Sequence, residues 1–262
     1  MFDLKALEAS LASTVFAGKL HFAAVTDSTN NDALAAARGG APHGSVWFAD
    51  EQLAGRGRGG NVWRSAAGEG LYVSVVLRLR IPAGRLLLLP LVAGLAAAEA
   101  IRAAAPGVAI DLRWPNDLLI GPNKAGGILV EANSEPSSGA VAVVGIGINV
   151  HQRGFDSGLA TPATSLDLAA GRTVSRQALL VALLRALDRE SDALLDSSAA
   201  AAVPARVEAA STWVRGRPVE VHGPQACTGV TAGLDAYGFL LVETAAGVVT
   251  VQTGGIRSPE IH

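Results

Sequence analysis

The chain has 262 residues, half of them hydrophobic, and a formal net charge of −2 at pH 7. These values predict a globular protein with one large domain, or a main domain with a small appendage. The net charge argues against a generally basic nucleic-acid binder. The single cysteine, Cys227, excludes an internal disulfide and a cysteine-cluster metal site, and the five scattered histidines lack a metal-ligand spacing. A reducing cytoplasm suits this composition best.

The N-terminal segment MFDLKALEASLAS lacks the basic start and the unbroken apolar core of a secretory signal. The most apolar run, Leu86 to Pro106, is interrupted by Pro90, Glu99 and Arg102. A membrane-spanning helix needs roughly 20 consecutive, mainly apolar residues. We therefore predict an Ala/Leu-rich helix buried in the core, a cytoplasmic location and no membrane contact.

The first part of the chain predicts strands and helices in an order without regular β-α-β alternation. A helix is expected through NDALAAARG, with the residues DST as its N-cap and Gly39 and Gly40 at its end. Turn-forming residues in WPNDLLIGPNK are expected to join two strands. The predicted strands, in chain order, are LHFAAVT, GSVWFADEQ, GLYVSVVLRLRI, GVAIDLRW, GGILVEAN and AVAVVGIGINV. This order predicts an α+β fold with a mixed or antiparallel sheet flanked by helices.

Between SRQALL and ALLDSS the sequence predicts an amphipathic helix, with Ser175 as its cap. Its apolar stripe consists of Leu179, Leu180, Leu183, Leu184 and Leu187. From about Trp213 short strand patterns alternate with glycine turns, which is typical of a small β-barrel. We therefore predict two domains, a main domain at 1–212 and a β-barrel domain at 213–262.

The segment GRGRGG, residues 55–60, combines alternating glycines with Arg56 and Arg58. Glycines allow backbone N–H groups to converge on an anion, and guanidinium groups add planar donors for carboxylate or phosphate. A plain surface loop and an RGG-type RNA contact are the alternatives. RNA-binding RGG tracts normally repeat within polar segments, whereas this one occurs once, between two apolar strands.

Four further polar residues stand out. Asn116 and Asp117 lie in a predicted turn, and Lys124 is the only lysine after Lys19. A compact ammonium group beside two glycines suits a phosphate contact, although an ordinary loop lysine is the simpler interpretation of Lys124 alone. Asn149 ends the strand GIGINV, which by itself is weak evidence for a site.

Taken together, these segments resemble the biotin protein ligases. The matching elements occur in that family's order, from about residue 20 to near the C-terminus: TDSTN, EQLAGRGRGGNVW, RWPNDLL, KAGGILVE, GIGINV and GLDAYGFLLV. The resemblance implies a catalytic domain like that of class II synthetases, with a small C-terminal SH3-like barrel. It also implies that biotin and ATP, with Mg²⁺, form biotinoyl-5'-AMP, and that the biotinoyl group is transferred to a lysine of a biotin carboxyl carrier protein domain of acetyl-CoA carboxylase or a related carboxylase.

The resemblance also implies roles for individual residues. Lys124, Arg58 and Asp117 are the expected catalytic residues, with Asp117 receiving the proton when the acceptor lysine attacks. ATP is expected to contact Arg58, Trp63, Asn116, Lys124 and Asn149, with Mg²⁺ near Asn149, while Trp114 is a weaker candidate for an adenine contact. The expected biotin contacts are Ser28, Thr29, Asn30, Gln52, Gly55, Arg56, Gly57, Arg58, Lys124, Gly127 and Gly145.

Two departures from the family pattern occur. Many bacterial relatives have a further arginine before the tryptophan, where this chain has Gly59, Gly60 and Asn61, and Arg113 stands where lysine is more common.

Only about 20 residues precede the first predicted strand, too few for a helix-turn-helix domain, so no DNA binding is expected. The rival functions are a lipoate or octanoate ligase of the same fold and a non-catalytic nucleotide- or RNA-binding protein. A monomer and a homodimer are both compatible with the sequence.

Overall fold

The computed structural model describes residues 2–135 and 139–259, which form two β-sheets with helices around the first. The helices are α1 (Leu4–Leu11), α2 (Thr29–Arg38), α3 (Ala83–Leu86), α4 (Leu89–Ala104), α5 (Leu166–Ala170), α6 (Arg176–Ala193), α7 (Ser197–Ala201) and α8 (Val203–Ala209). The strands of the first sheet are β1 (Leu20–Thr26), β2 (Ser45–Gln52), β3 (Gly70–Leu79), β4 (Ile110–Arg113), β5 (Asp117–Ile120), β6 (Asn123–Glu135) and β7 (Gly139–Asn149).

The first sheet has the strand order β1-β2-β3-β7-β6-β5-β4. Strands β1 and β2 are parallel, and the other neighbouring strands are antiparallel, which confirms the predicted mixed sheet. Nine of the ten residues of β3 are buried, because its apolar side chains have cover on both faces. The neighbouring strands β7 and β6 carry Gly127, Gly145 and Gly147, which are discussed below.

The long apolar run forms α3 and α4, and ten residues of α4 are buried. Within the described residues, the stretch Ala83–Ala104 is the one helical segment long and apolar enough to cross a membrane. Here α4 instead packs against α6 and against strands of the first sheet, as the sequence predicts. The hydroxyl of Ser175 caps α6 by accepting from the Ala178 N–H, and the five predicted leucines of α6 are buried.

Two elements differ from the expectation. The segment that was predicted as a turn contains β5, which forms a hairpin with β4 and buries Leu118 and Leu119. Four strand residues between two groups of turn formers leave too short an apolar pattern to detect. Helix α1 was also not predicted; the Asp3 carboxylate caps it, and Leu7 and Leu11 are buried.

The second sheet lies at the C-terminus and has the order β11-β10-β9-β8-β12. All of its pairs are antiparallel, which agrees with a small barrel-like domain. Its strands are β8 (Arg215–His222), β9 (Cys227–Leu234), β10 (Leu240–Thr244), β11 (Gly247–Val251) and β12 (Gly255–Arg257). The exact division at residues 212 and 213 stays a prediction.

The turn between β9 and β10 contacts the turn between β4 and β5 at Trp114. This tryptophan is buried, and its indole N–H donates to the carbonyl of Gly238 in the C-terminal domain at 3.0 Å. Gly238 lies so close to Leu91 that a Cβ there would be 2.5 Å from the leucine side chain. Trp114 therefore contacts the C-terminal domain, and the weaker expectation of an adenine contact stays a prediction.

Candidate active site

Glycines on β6 and β7 form a floor without side chains, which we call the glycine floor (Gly127, Gly145 and Gly147). A Cβ at position 145 would lie 2.4 Å from the Asn30 side-chain oxygen, and one at position 147 would lie 2.6 Å from the Trp63 ring. A Cβ at Gly127 would be 3.4 Å from both Trp63 and Lys124. Glycine at these positions lets polar and aromatic groups rest directly on the strand backbone.

The start of α2 forms one wall above this floor. Ser28, Thr29 and Asn30 are all buried. The Gln52 side-chain oxygen accepts from the Thr29 N–H at 2.9 Å and from the Thr29 hydroxyl at 3.0 Å. The Gln52 amide nitrogen donates to the Ser65 hydroxyl at 2.7 Å. Thr29 and Gln52 thus hold each other in place. The structure brings together four polar residues that were expected to contact biotin, namely Ser28, Thr29, Asn30 and Gln52.

Three buried polar atoms in this region have no hydrogen-bond partner among the described residues: Ser28 Oγ, Asn30 Oδ1 and Trp63 Nε1. We refer to them as the unsatisfied polar atoms. Ser28 is the N-cap of α2 by position, yet its hydroxyl makes no capping bond, so the alternative capping role is not observed. A buried polar group without a partner costs about 1–3 kcal/mol. Their location around the glycine floor indicates a polar ligand site.

The segment GRGRGG, residues 55–60, lies beside this wall and turns tightly on itself; we call it the Gly/Arg loop. The Gly57 N–H donates to the carbonyl of Asn61 at 2.7 Å, and Arg58–Gly60 form a single 3₁₀ turn. Gly59 and Gly60 have φ angles of 64° and 81°, which favour glycine over any other residue. A Cβ at Gly55 would lie 2.3 Å from the Trp63 carbonyl. The two glycines that depart from the family pattern are therefore required by this turn.

The two arginines of the loop contact different parts of the protein. Arg56 donates to Asn31 at 2.5 Å and to the Glu131 carboxylate at 2.8 Å. Arg58 donates to the Asn116 side-chain oxygen at 3.0 Å and to the carbonyl of Gly254 at 3.1 Å. Burial lowers the pKa of Arg58, although nearby Asp117 opposes the shift. Arg58 thus links the loop to the β4–β5 turn and to the C-terminal domain.

Glu131 was not identified from the sequence. It lies on β6 and accepts from Asn30 Nδ2 at 2.5 Å as well as from Arg56. The signal that was available is a carboxylate within the otherwise apolar strand segment GGILVEAN. A single charge at the end of an apolar strand is usually a solvated residue, so this pattern alone does not indicate a site.

Next to the loop, three charged side chains form an ion cluster (Arg113, Asp117 and Lys124). Lys124 Nζ lies 2.6 Å from one oxygen of Asp117, and Arg113 Nη2 lies 2.5 Å from the other. Burial by itself raises the pKa of Asp117, but Lys124 and Arg113 outweigh it and hold the pKa below its ordinary value. The Arg113 that replaces the more common lysine is thereby given a defined partner.

The ion cluster bears on the proton-acceptor role expected of Asp117. A carboxylate with a lowered pKa is a weak base, and both of its oxygens already accept from cations. The geometry therefore favours Asp117 as a residue that positions Lys124. Its role as proton acceptor stays a prediction.

The two asparagines expected at the nucleotide are both engaged with the protein. Asn116 accepts from Arg58 and donates to the Ile128 carbonyl at 2.9 Å. Asn149 is buried and donates to the Thr164 carbonyl at 3.1 Å, while its oxygen accepts from Gln152 at 3.4 Å. Asn149 therefore fastens the segment that follows β7, and its contact with ATP or Mg²⁺ stays a prediction.

Trp63 is the residue best placed for a planar ligand. Its ring lies on Gly147 and Gly127, and Lys124 Nζ is 5.6 Å from the ring centroid. The surrounding side chains give this part of the site a net cationic character through Lys124, Arg58 and Arg113. The described residues contain no group of three or more His, Cys, Asp or Glu side chains that could hold a metal ion by themselves.

Comparison with known proteins agrees with this arrangement. Residues 22–149 match the Biotin/lipoate A/B protein ligase family, and this segment contains every site residue named above from Ser28 to Asn149. The chain is 36% identical over 235 residues to the biotin–[acetyl-CoA-carboxylase] ligase of Paracoccus denitrificans, covering 85% of this chain and 93% of that protein. The chain belongs to the biotin protein ligase family.

The same family includes proteins with and without an additional activity. A bifunctional ligase/repressor BirA from Bacillus spizizenii is 33% identical over 250 residues, which are 94% of this chain and 76% of that protein. The biotin protein ligase of Aquifex aeolicus, solved in complex with biotin and ATP, superposes with a TM-score of 0.77 at 29% identity. That match covers 92% of this chain and 98% of the other, so the ligase fold extends over both sheets.

Proposed function

We propose that this biotin protein ligase activates biotin with ATP and transfers the biotinoyl group to a lysine of a biotin carboxyl carrier domain. In the first step a carboxylate oxygen of biotin attacks the α-phosphorus of ATP. An acyl–phosphate bond forms, the bond to the β-phosphate breaks, and pyrophosphate leaves. In the second step the amine of the acceptor lysine attacks the acyl carbon, an amide forms, and AMP and a proton are released.

The unsatisfied polar atoms are the observation that carries this proposal. The ureido ring of biotin has two N–H donors and one carbonyl acceptor, and the wall of α2 offers an oxygen acceptor and a hydroxyl that can donate or accept. A lipoyl or octanoyl chain has no groups to pair with them. Because unpaired buried polar groups reject such analogues, the site favours biotin over the substrates of the rival ligases.

The cationic part of the site suits the meeting of two anions. A carboxylate and a phosphate at about 4 Å repel each other by roughly 4 kcal/mol at an effective dielectric constant of 20. Lys124 and Arg58 can offset this repulsion and stabilise the charge that develops on the transferring phosphoryl group. Lys124 must then share its ammonium group between Asp117 and the reacting anions.

The nucleotide is assigned to the Trp63 side of the glycine floor. The indole supplies a planar surface for adenine, and its N–H has no partner in the part of the chain that the structure describes. When bound, Mg²⁺ would neutralise charge on the phosphates of ATP. Since the described residues provide no acidic metal cluster, the ion is expected to enter with the nucleotide.

Pyrophosphate exchange tests the proposal directly. We expect ATP–pyrophosphate exchange that depends on biotin, and transfer of biotin to a carrier domain detected as a mass increase. A carrier domain whose target lysine is replaced by arginine is the matched control and must stay unmodified. Exchange driven by lipoate or octanoate would support the rival acyl ligase, and the absence of exchange with every acid would support a non-catalytic binding protein.

The remaining partner assignments extend the proposal. We expect a cytoplasmic enzyme whose acceptor is a biotin-dependent carboxylase, and no specific binding of operator DNA. A mobility shift with operator DNA, biotin and ATP checks the second expectation. Sedimentation with and without biotin distinguishes a monomer from a homodimer.

A further inference from the structure

Glu131 contacts both the wall at the start of α2 and the Gly/Arg loop, and no function has been assigned to it so far. One of its carboxylate oxygens accepts from Asn30 Nδ2 at 2.5 Å, and the other accepts from Arg56 at 2.8 Å. Asn30 belongs to the wall at the start of α2, to which the proposed function assigns the ureido ring, whereas Arg56 belongs to the Gly/Arg loop. The side chain of Glu131 is 31% exposed, so the contact with Arg56 lies at the rim of the site.

The contact with Asn30 determines which end of the asparagine amide faces the ligand. A carboxylate only accepts hydrogen bonds, so the NH₂ group of Asn30 must point to Glu131. The oxygen Oδ1 then points over Gly145, where it has no hydrogen-bond partner among the residues described. If the amide were reversed, two oxygens would face each other at the Glu131 contact and a donor would face the pocket.

We propose that Glu131 is a positioning residue that sets the substrate specificity of the acyl site. By fixing Asn30 as an acceptor, it makes the pocket select an acid that carries an N–H donor, as the ureido ring of biotin does. By holding Arg56, it keeps the Gly/Arg loop next to the same ligand. This inference depends on the proposed function, since it names the group that reads the ureido ring.

The two contacts have separable consequences. Loss of the Asn30 contact lets the amide rotate, which removes the preference for an N–H donor and leaves the loop in place. Loss of the contact between Glu131 and Arg56 loosens the loop, because Arg56 is then held by Asn31 alone, at 2.5 Å. A change in ligand preference therefore reports on Asn30, and escape of the acyl-adenylate reports on Arg56.

The test compares Glu131→Gln with the wild-type ligase for three acids. Dissociation constants are measured for biotin, for desthiobiotin, which keeps the ureido ring, and for octanoate, which lacks it, the last by competition with labelled biotin. A glutamine has one oxygen and can serve only one of the two donors. We expect biotin and desthiobiotin to bind about tenfold more weakly and octanoate to be unchanged, because Asn30 Oδ1 is then no longer held as an acceptor and only ureido ligands have an N–H to pair with it.

Two further variants keep the outcome interpretable. Glu243→Gln, an exposed glutamate of β10, is the control and is expected to change none of the three constants. Arg56→Ala removes the contacts of the loop with Glu131 and Asn31 and leaves the Asn30 contact, so it should raise AMP release without acceptor more than it changes the ratio of the biotin and octanoate constants. Glu131→Asp retains the charge and serves if the glutamine variant does not fold.

The possible results separate the two hypotheses. Failure of the wild-type chain to bind biotin would overturn the proposed function itself. Wild-type binding with equal weakening of all three acids in Glu131→Gln would show a merely structural role for Glu131. If Arg56→Ala reproduced the loss of discrimination, the asparagine contact would not be its cause.

Discussion

The acyl pocket, which is the space between the glycine floor and the Ser28–Asn30 wall, lies beside the ion cluster. The two regions differ in how their polar groups are satisfied. In the pocket, Ser28 Oγ and Asn30 Oδ1 are buried without a partner within the described residues. In the cluster, both oxygens of Asp117 are paired with cations. The pocket therefore has polar atoms ready to bind a ligand. In the cluster the charged groups pair with one another, and Lys124 must exchange part of its contact with Asp117 for the carboxylate and phosphate of the substrates.

This difference separates binding from catalysis. Groups that lack partners gain most from a ligand that supplies them, so the pocket should determine affinity and specificity. Lys124 gains little from a bound carboxylate alone, because its ammonium group must then be shared between that carboxylate and Asp117. The cluster should therefore act mainly when charge develops on the phosphoryl group.

The largest effect is expected for Lys124→Ala. We expect adenylation to fall by about a thousandfold, because the ammonium group stabilises the transferring phosphoryl centre. The affinity for biotin should fall far less. Single-turnover adenylation and calorimetric titration of biotin check the two parts, with the exposed Lys5→Ala as control. Equal and small effects on both would show that Lys124 is a bystander.

Asp117→Asn should lower stability by about 3 kcal/mol at neutral pH, because it leaves Lys124 and the buried Arg113 without their counter-charge. The folded-state pKa of Asp117 is lowered, so its contribution is complete above the unfolded pKa and is lost as pH falls through the folded value. The difference from wild type should thus persist from pH 7 to about pH 4 and shrink below it.

Denaturant unfolding over this pH range measures the effect. Asp156→Asn is the matched control, because its pair with Arg64 is exposed, and it should change stability by less than about 1 kcal/mol. A difference that grew toward acid pH would contradict the account of the cluster.

Gly145→Ala should weaken biotin binding by about tenfold to a hundredfold, since overpacking costs about 1–3 kcal/mol. The added Cβ would lie 2.4 Å from Asn30 Oδ1 and displace it from the pocket. Calorimetry with biotin measures the change. Gly154→Ala is the control, because a Cβ there meets no atom within 4 Å. Unchanged affinity in Gly145→Ala would remove Asn30 from the ureido contact.

The smallest effect is the change in release expected for Arg58→Gly, which should raise the release of AMP without acceptor, per acyl-adenylate formed, by about tenfold. Arg58 links the loop to Asn116 and to Gly254, so its loss should let water reach the acyl-adenylate. Arg64→Gly, which removes an exposed arginine near the same loop, is the control. An unchanged release rate would show that the loop does not cover the intermediate.

Much of the fold followed from local patterns. The alternating residues of β3, the leucine stripe of α6 and the glycine-separated strands of the C-terminal sheet are short-range signals, and each was confirmed. The strand β5 was missed because only four residues separate two groups of turn formers. Helix α1 was missed because its burial depends on distant contacts with α6.

The site was predictable where function shapes a local motif and less so where it depends on long-range pairing. The loop arginines, Lys124 and the Ser28–Asn30 wall stand in recognisable segments. The contact of Glu131 with Asn30 joins residues 101 positions apart, and that of Arg58 with Gly254 joins residues 196 apart. Sequence spacing carries no information on such pairs, so neither was foreseen.

A structure of this ligase with biotin and a non-hydrolysable ATP analogue tests the central claim most directly. We predict Ser28 Oγ and Asn30 Oδ1 within about 3 Å of the ureido ring, and Lys124 moved toward the carboxylate and α-phosphate. A Gly/Arg loop that points into solvent, with Lys124 still bound only to Asp117 and the pocket atoms away from the ring, would contradict the account.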